Sequence, residues 1–237
     1  MKTLIIFIII ILLIITFLYY NKIRIKCGKL LKWKFYPSIF VPEMFPIIYN
    51  KDIIKKELKD ALNLPVYNIC RYKNNWHDSI SGKQFMQKVN NITGWIYGSE
   101  NNDNNDNNNN DENNNNGWLN FGLIHNNKTF DANSKICPNT CNILKNIKGI
   151  NIAGFSLLKP NSKILPHKDH SGIKNNSVTI HYGLIIPEEN KCNLIVDNEI
   201  KYQEEDKLII FDSNYIHYAE NNSDKDRIIL YIDKSLT

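Results

Sequence analysis

Acidic residues are missing from the first 34 positions of this 237-residue chain, and positions 3 to 20 carry no charge of either sign. Seven basic residues (Lys2, Lys22, Arg24, Lys26, Lys29, Lys32 and Lys34) lie in that stretch, so the formal charge of +5 resides there. The rest of the chain holds 22 basic and 24 acidic residues, about −2. That balance lacks the basic excess of a nucleic-acid binder, and no nucleic-acid partner is expected. Cysteine is scarce, five residues without a dense framework, which excludes a disulfide scaffold and fits a reducing compartment. No internal repeat is visible. The length and the 43% hydrophobic content fit one folded domain with appendages.

What is present at the N-terminus is an apolar run, "MKTLIIFIIIILLIITFLYY", whose only non-aromatic polar groups between 3 and 20 are two threonines. Eighteen such residues in a helix rise about 27 Å, close to the ~30 Å hydrocarbon core of a bilayer. The run is too long for a cleaved signal, and "TFLYY" is too bulky for its cleavage site. The expectation is a transmembrane anchor over 1–21, with the lipid bilayer as its partner, then a basic juxtamembrane linker over 22–45. Six basic residues follow the run, so the positive-inside rule predicts a single-pass membrane protein with its C-terminal domain in the cytoplasm. The sequons at Asn91, Asn127, Asn175 and Asn221 should then be unglycosylated.

A domain over 46–237 is interrupted by "NNDNNDNNNNDENNNN" at 101–116, which has no apolar surface to offset ordering entropy and reads as a disordered insert. Within 50–65, Ile53, Ile54, Leu58, Ala61 and Leu62 fall on one helical face, with Asn63 and Pro65 as stop signals. A second short helix is predicted in "CPNTCNILKNI", with Pro138 in its first turn and a stripe of Ile143, Leu144 and Ile147. Cys137 and Cys141 lie one turn apart there; without a second pair they read as buried thiols. After residue 150 short β-rich runs alternate with Pro, Asn, Asp and Gly. This predicts a mostly β fold, a jelly roll or double-stranded β-helix of cupin-like type with a few packing helices, preceded by the transmembrane helix.

Within these runs "LPHKDHSG" places His167 and Asp169 one residue apart at a strand end, where alternate side chains point the same way. Non-haem Fe(II) oxygenases hold iron with two His and one carboxylate on one face. His217, in "FDSNYIHYAEN", supplies a third ligand type at another strand-like run. Arg227 follows ten residues later, and a planar guanidinium suits the far carboxylate of a 2-oxoglutarate cosubstrate. The bland readings are a loop histidine and a surface strand arginine paired with Asp224 or Asp226.

These stretches, with "GWLNFGL", "FSLLKPNSKILPHKD" and "IHYGLIIP", resemble the aspartyl/asparaginyl β-hydroxylase family of Fe(II)/2-oxoglutarate-dependent dioxygenases. The HxD form and "YIHYAEN" are closest to its membrane-associated lipid A acyl-chain hydroxylase branch; the animal peptidyl-aspartyl enzymes have Gly at the position of Asp169. The resemblance implies His167, Asp169 and His217 as the iron ligands. It also implies that Arg227 and Ser156 hold the distal carboxylate of 2-oxoglutarate, with His181 at the cosubstrate. The implied reaction hydroxylates an unactivated C–H bond with dioxygen, ascorbate in support, and succinate and CO2 as co-products. A lipid acyl chain and a peptidyl Asp/Asn-type side chain are both open as substrates. Two departures stand out: Thr179 replaces the family's usual Arg, and "GIKNN" lengthens the loop between His167 and His181, where Lys174 offers another cation. An alternative of another class is a degenerate jelly roll serving as a membrane-tethered binding module. Zinc held structurally by the same three residues gives no role to Arg227.

Overall fold

The computed structural model describes residues 2–70, 86–98, 117–169 and 177–236. The Asn-rich insert at 101–116 and Lys174 lie outside the described residues. The helices are α1 (Lys2–Leu30), α2 (Phe45–Tyr49), α3 (Lys51–Leu62) and α4 (Pro138–Lys145). Strands β1 (Phe35–Tyr36), β2 (Val66–Cys70), β3 (Trp95–Tyr97), β4 (Trp118–His125) and β5 (Lys128–Thr129) come first. Eight more follow: β6 (Ile150–Leu158), β7 (Ser162–His167), β8 (Ser177–Ile185), β9 (Cys192–Val196), β10 (Glu199–Tyr202), β11 (Leu208–Phe211), β12 (His217–Asn221) and β13 (Arg227–Ser235).

These last eight strands divide between two facing sheets. The larger sheet runs β1-β11-β8-β13-β6-β4-β3-β2 and the smaller runs β10-β9-β12-β7. Strands six through thirteen therefore change sheet at every step except β9 to β10, a hairpin within the smaller sheet; this is the winding of a double-stranded β-helix, and the expected jelly roll is the fold observed.

Strand β8 explains why both faces of the larger sheet are buried. Val178, Ile180, Tyr182 and Leu184 join the core with residues of α2, α3 and α4. The alternate set, Ser177, Thr179, His181 and Gly183, lies on the opposite face, as the period-2 geometry of a strand requires. In β13 the same alternation puts Ile228, Leu230 and Ile232 under the helices. Arg227, Ile229 and Tyr231 share the other face, where Tyr231 is the register partner of His181. The polar positions of these strands thus face the space between the sheets. Leu158, Ile164, Leu194, Val196, Ile209, Phe211 and Ala219 form a separate apolar cluster there.

Helix α3 forms within the expected segment, but its buried apolar residues are Ile54, Leu58 and Ala61, while Ile53 and Leu62 are exposed. Positions 54, 58 and 61 follow the 3.6-residue period most closely. Buried Glu57 fastens α3 to α4: its carboxylate accepts from Asn139 N, Asn139 Nδ2, Thr140 N and Thr140 Oγ1 at 2.6–2.9 Å. A carboxylate over a helix N-terminus satisfies donors that have no partner within the helix. Cys137 and Cys141 are buried thiols beside it, and burial pushes the Cys141 pKa up to about 12.

The N-terminal segment corrects the sequence reading. No helix among the described residues is long and apolar enough to cross a membrane. Helix α1 does form, over Lys2–Leu30. Residues Ile5–Ile15 are exposed, whereas Ile25 is buried against the domain. Beyond the helix the chain joins the packed body well before residue 46. Phe35 and Tyr36 pair with Phe211 and Ile210 of β11, and Tyr36, Phe40, Val41 and Met44 are buried. Lys29 Nζ meets Asp212 Oδ2 at 2.9 Å in a half-buried pair, tying the end of α1 to the turn after β11.

Candidate active site

Strands β7 and β12 bring the two ligand histidines together: His167 and His217 are register partners, with ring centroids 4.4 Å apart. Each ring is held by the backbone carbonyl two residues before it. His167 Nδ1 donates to Leu165 O at 2.8 Å and His217 Nδ1 to Tyr215 O at 3.0 Å. A carbonyl can only accept, so each Nδ1 carries the proton and each Nε2 offers a lone pair. Burial lowers the His217 pKa, opposed by nearby Asp169, which favours the neutral ring.

Asp169 completes the group. Its Oδ1 lies 3.7 Å from His167 Nε2 and its Oδ2 lies 3.8 Å from His217 Nε2. All three ligand atoms lie within 4.8 Å of one another. Two ligands on one ion at ~2.1 Å bonds and near-right angles sit about 3 Å apart, so small side-chain shifts close this set on a divalent metal. Asp169 is itself fixed at both ends. Tyr231 Oη donates to its Oδ2 at 2.9 Å, and its backbone N–H donates to Ser213 O at 3.2 Å. Thr179 Oγ1 donates to Ser213 Oγ at 2.9 Å. The residue that replaces the family's Arg therefore buttresses the turn that holds Asp169.

Behind the triad lies a buried cation. Arg227 is fully buried; its Nε donates to Gln203 Oε1 at 2.6 Å, and neither Nη1 nor Nη2 has a hydrogen-bond partner among the described residues. Burial pulls its pKa down to about 10, so it is charged at neutral pH. Gln203 Nε2 lies 3.2 Å from His181 Nδ1. Burial first, and the Arg227 guanidinium second, hold His181 well below the usual imidazole range, so its ring is neutral. The Phe211 ring stands between the two groups, 5.0 Å from His181 and 5.2 Å from His217 by centroids. Ser156 Oγ accepts from Trp118 Nε1 at 2.9 Å, and the Trp118 ring flanks His167 at 6.3 Å. Ser156 makes no hydrogen bond to Arg227; it holds the indole beside the triad.

All six expected site residues thus fall on the inner surface of one barrel or at its mouth. Reading the sequence missed Tyr231, Gln203, Ser213 and Trp118. Tyr231 was accessible in principle, since it lies four residues after Arg227 and shares its strand face. Gln203 sits in the β10–β11 connection, where no pattern singles it out.

An apolar cleft adjoins the site where the larger sheet extends past β6. Met86, Val89, Ile96, Phe130 and Ile152 line a narrow cleft of about 60 Å³, partly open to solvent, with Asn120, His125 and Tyr231 also on its wall. Gly154 is required on its floor, because a Cβ there would meet Phe121 O at 2.5 Å. Asn120 Nδ2 is shielded from solvent and has no partner among the described residues.

An ornithine lipid ester-linked acyl 2-hydroxylase of Rhizobium tropici is 39% identical over 49% of this chain and 41% of its own length. An uncharacterized protein of Acanthamoeba polyphaga mimivirus is 28% identical over 82% of this chain and 69% of that one. The human aspartyl/asparaginyl β-hydroxylase is 28% identical over 49% of this chain and 15% of its own length. The chain thus spans well under two thirds of the bacterial and human relatives. Among solved structures, a Burkholderia pseudomallei oxidoreductase of the 2OG-Fe(II) oxygenase family covers 51% of this chain and 69% of that one, at TM-score 0.39 and 10% identity. The family model for aspartyl/asparaginyl β-hydroxylase matches residues 83–235, a span that contains all eight barrel strands, the triad and Arg227. The chain belongs to the aspartyl/asparaginyl β-hydroxylase family.

Proposed function

We propose that this protein is an Fe(II)- and 2-oxoglutarate-dependent hydroxylase acting on an unactivated C–H bond, with an aliphatic chain as substrate. The observation that carries the reading is the pairing of two sites in one barrel. One is a metal-competent triad with both Nε2 lone pairs available; the other is a buried guanidinium whose Nη groups are unsatisfied.

The residues fit both groups. His167, Asp169 and His217 are the ligand types of a facial iron triad. Arg227 retains four N–H donors on Nη1 and Nη2, which match a carboxylate bidentately. When bound, iron and 2-oxoglutarate supply the oxidising chemistry, consuming dioxygen and yielding succinate and CO2 beside the hydroxylated product.

The chain's own contribution is positioning and exclusion of water. Leu165 O and Tyr215 O keep the two imidazoles in the ligating tautomer. Tyr231 and the Ser213 turn hold Asp169 in place. Arg227 offers its charge in a dry pocket, where a carboxylate is bound more strongly than in water. Phe211 and Trp118 pack beside the histidines; His217 is buried, while His167 stays partly open to solvent at the mouth.

The cleft favours an aliphatic chain over a peptidyl Asp or Asn side chain, because Met86, Val89, Ile96, Phe130 and Ile152 give it a hydrocarbon and thioether surface and only Asn120, His125 and Tyr231 bring polar side chains to its wall. The acyl-directed name of the Rhizobium relative agrees. On this reading the exposed isoleucines and leucines of α1 bring the domain to a lipid surface on the cytoplasmic side, with exposed Lys26 and Lys32 beside the headgroups.

The test is full-length protein with Fe(II), ascorbate and 2-oxoglutarate under air, scored for succinate. Turnover above Asp169→Ala and His217→Ala controls supports the reading. Iron-loaded protein with no succinate above those controls favours the degenerate binding module instead.

A further inference from the structure

Gln203 is 3% exposed, and its backbone N–H is anchored to Cys192 O at 2.8 Å. Its side chain lies between two functional groups that make no hydrogen bond to each other. Arg227 Nε donates to it at 2.6 Å, and His181 Nδ1 lies 3.2 Å from its other terminal atom.

The chemistry of these partners removes the usual ambiguity of an amide. A guanidinium has only donors, so the atom facing Arg227 must be the amide oxygen. The atom facing His181 is then the NH2 group, which can only donate. His181 Nδ1 must accept, and in a neutral ring the proton then resides on Nε2.

We infer that Gln203 is a positioning residue, whose single amide orients the Arg227 guanidinium and locks His181 as its Nε2–H tautomer, making the two one donor set for a carboxylate. Four N–H groups on Arg227 have no acceptor among the described residues, the Nε2–H of His181 adds a fifth donor, and none of the five can accept. Such a pocket selects a ligand end that accepts only, an ionised carboxylate, over an amide or hydroxyl that would bring its own donors. With Thr179 in place of the family's usual Arg, His181 is the second donor available to that carboxylate. The ligand named below rests on the 2-oxoglutarate reading; the tautomer lock does not.

The test has two arms. Long-range proton–nitrogen correlations on 15N-labelled full-length protein, free of metal and ligand, report which His181 nitrogen is protonated. The signal is assigned by its loss in His181→Asn. The expected result is Nε2–H in the wild type and Nδ1–H in Gln203→Glu, whose carboxylate can only accept. Nδ1–H in the wild type overturns the inference.

In the second arm, Gln203→Leu is expected to bind 2-oxoglutarate, in the presence of anaerobic Fe(II), about 10- to 100-fold more weakly than the wild type. Fe(II) affinity itself should stay within about 2-fold, since no triad ligand is touched. Unchanged 2-oxoglutarate affinity overturns the positioning role. If Gln203→Leu does not fold, Gln203→Glu carries the same comparison, because its charge neutralises Arg227 and should weaken binding at least as much. A wild type that shows Nε2–H but binds no 2-oxoglutarate refutes the cosubstrate reading and leaves the tautomer lock supported.

Discussion

Arg227→Met should make the ligand-free protein more stable while removing its response to 2-oxoglutarate. The guanidinium is fully buried with one hydrogen bond, and burial pulls its pKa from 12.5 to about 10. A displacement of that size corresponds to about 3 kcal/mol against the folded state. The sign follows from linkage. The folded pKa lies below the unfolded one, so the penalty is complete below about pH 10 and wanes only above it. Methionine keeps much of the side chain's volume and removes the charge. It also leaves Gln203 Oε1 without its donor, at a cost of about 1–2 kcal/mol. The balance is a gain of about 1–2 kcal/mol, or roughly 2–8 °C in Tm for a domain of this size. Thermal melts at pH 7.5 of wild type and variant, each with and without 2-oxoglutarate and Mn(II), measure both effects. The wild type should melt lower alone and rise with ligand; the variant should melt higher alone and rise less. A variant destabilised by more than about 1 kcal/mol would show that the Nη groups are satisfied in the free protein, and the argument for an anion site would fail.

Tyr231→Phe removes the hydrogen bond to Asp169 and should weaken Fe(II) binding about 10-fold without a large change in Tm, measured by anaerobic metal titration. Asp169→Ala removes a ligand, and succinate release should fall at least about 100-fold; full activity would mean that two histidines suffice. Glu57→Ala leaves four donors at the start of α4 without their acceptor and should cost about 3 kcal/mol in urea denaturation, with metal affinity unchanged in the folded protein. Asp212→Ala removes the partner of Lys29 and the acceptor of Asn214 N and Asn214 Nδ2. It should cost about 2 kcal/mol and loosen the turn before His217, visible as faster amide exchange at Asn214 and Tyr215.

The barrel was legible because its signals are local. Apolar runs of strand length broken by turn residues mark β6, β7, β8, β9, β11 and β13, and the HxD spacing works only if those runs are extended; β10 and β12, "EIKY" and "HYAEN", carry no such run. The triad and Arg227 were legible because ligand chemistry narrows the residue types and strand periodicity sets their direction. Helix α3 was placed to within a residue, yet its buried face was drawn too wide, since Ile53 and Leu62 are apolar and still exposed. Gln203 and Ser213 were not legible. Each acts through one contact across the barrel, and nothing in "KYQEED" or "FDSNY" distinguishes a relay from a turn. Thr179 read as a loss beside the family pattern, whereas its hydroxyl binds Ser213 and supports Asp169. The N-terminal anchor and linker were read from hydropathy and flanking charge, which cannot tell that residues 35–44 fold into the sheet and core.

Strand β1 is two residues long, followed at once by Pro37, and it occupies the rim of the larger sheet beside β11. A short rim strand closed by proline is how open sheets avoid pairing with other chains. A version of this protein begun at residue 46, where hydropathy and charge alone would draw the boundary, strips that guard away. It leaves the amides and carbonyls of β11 bare, one strand from His181, and removes Phe35 from beside Phe211. The first symptom of that cut should be self-association through β11, appearing in solution before any defect in chemistry can be measured.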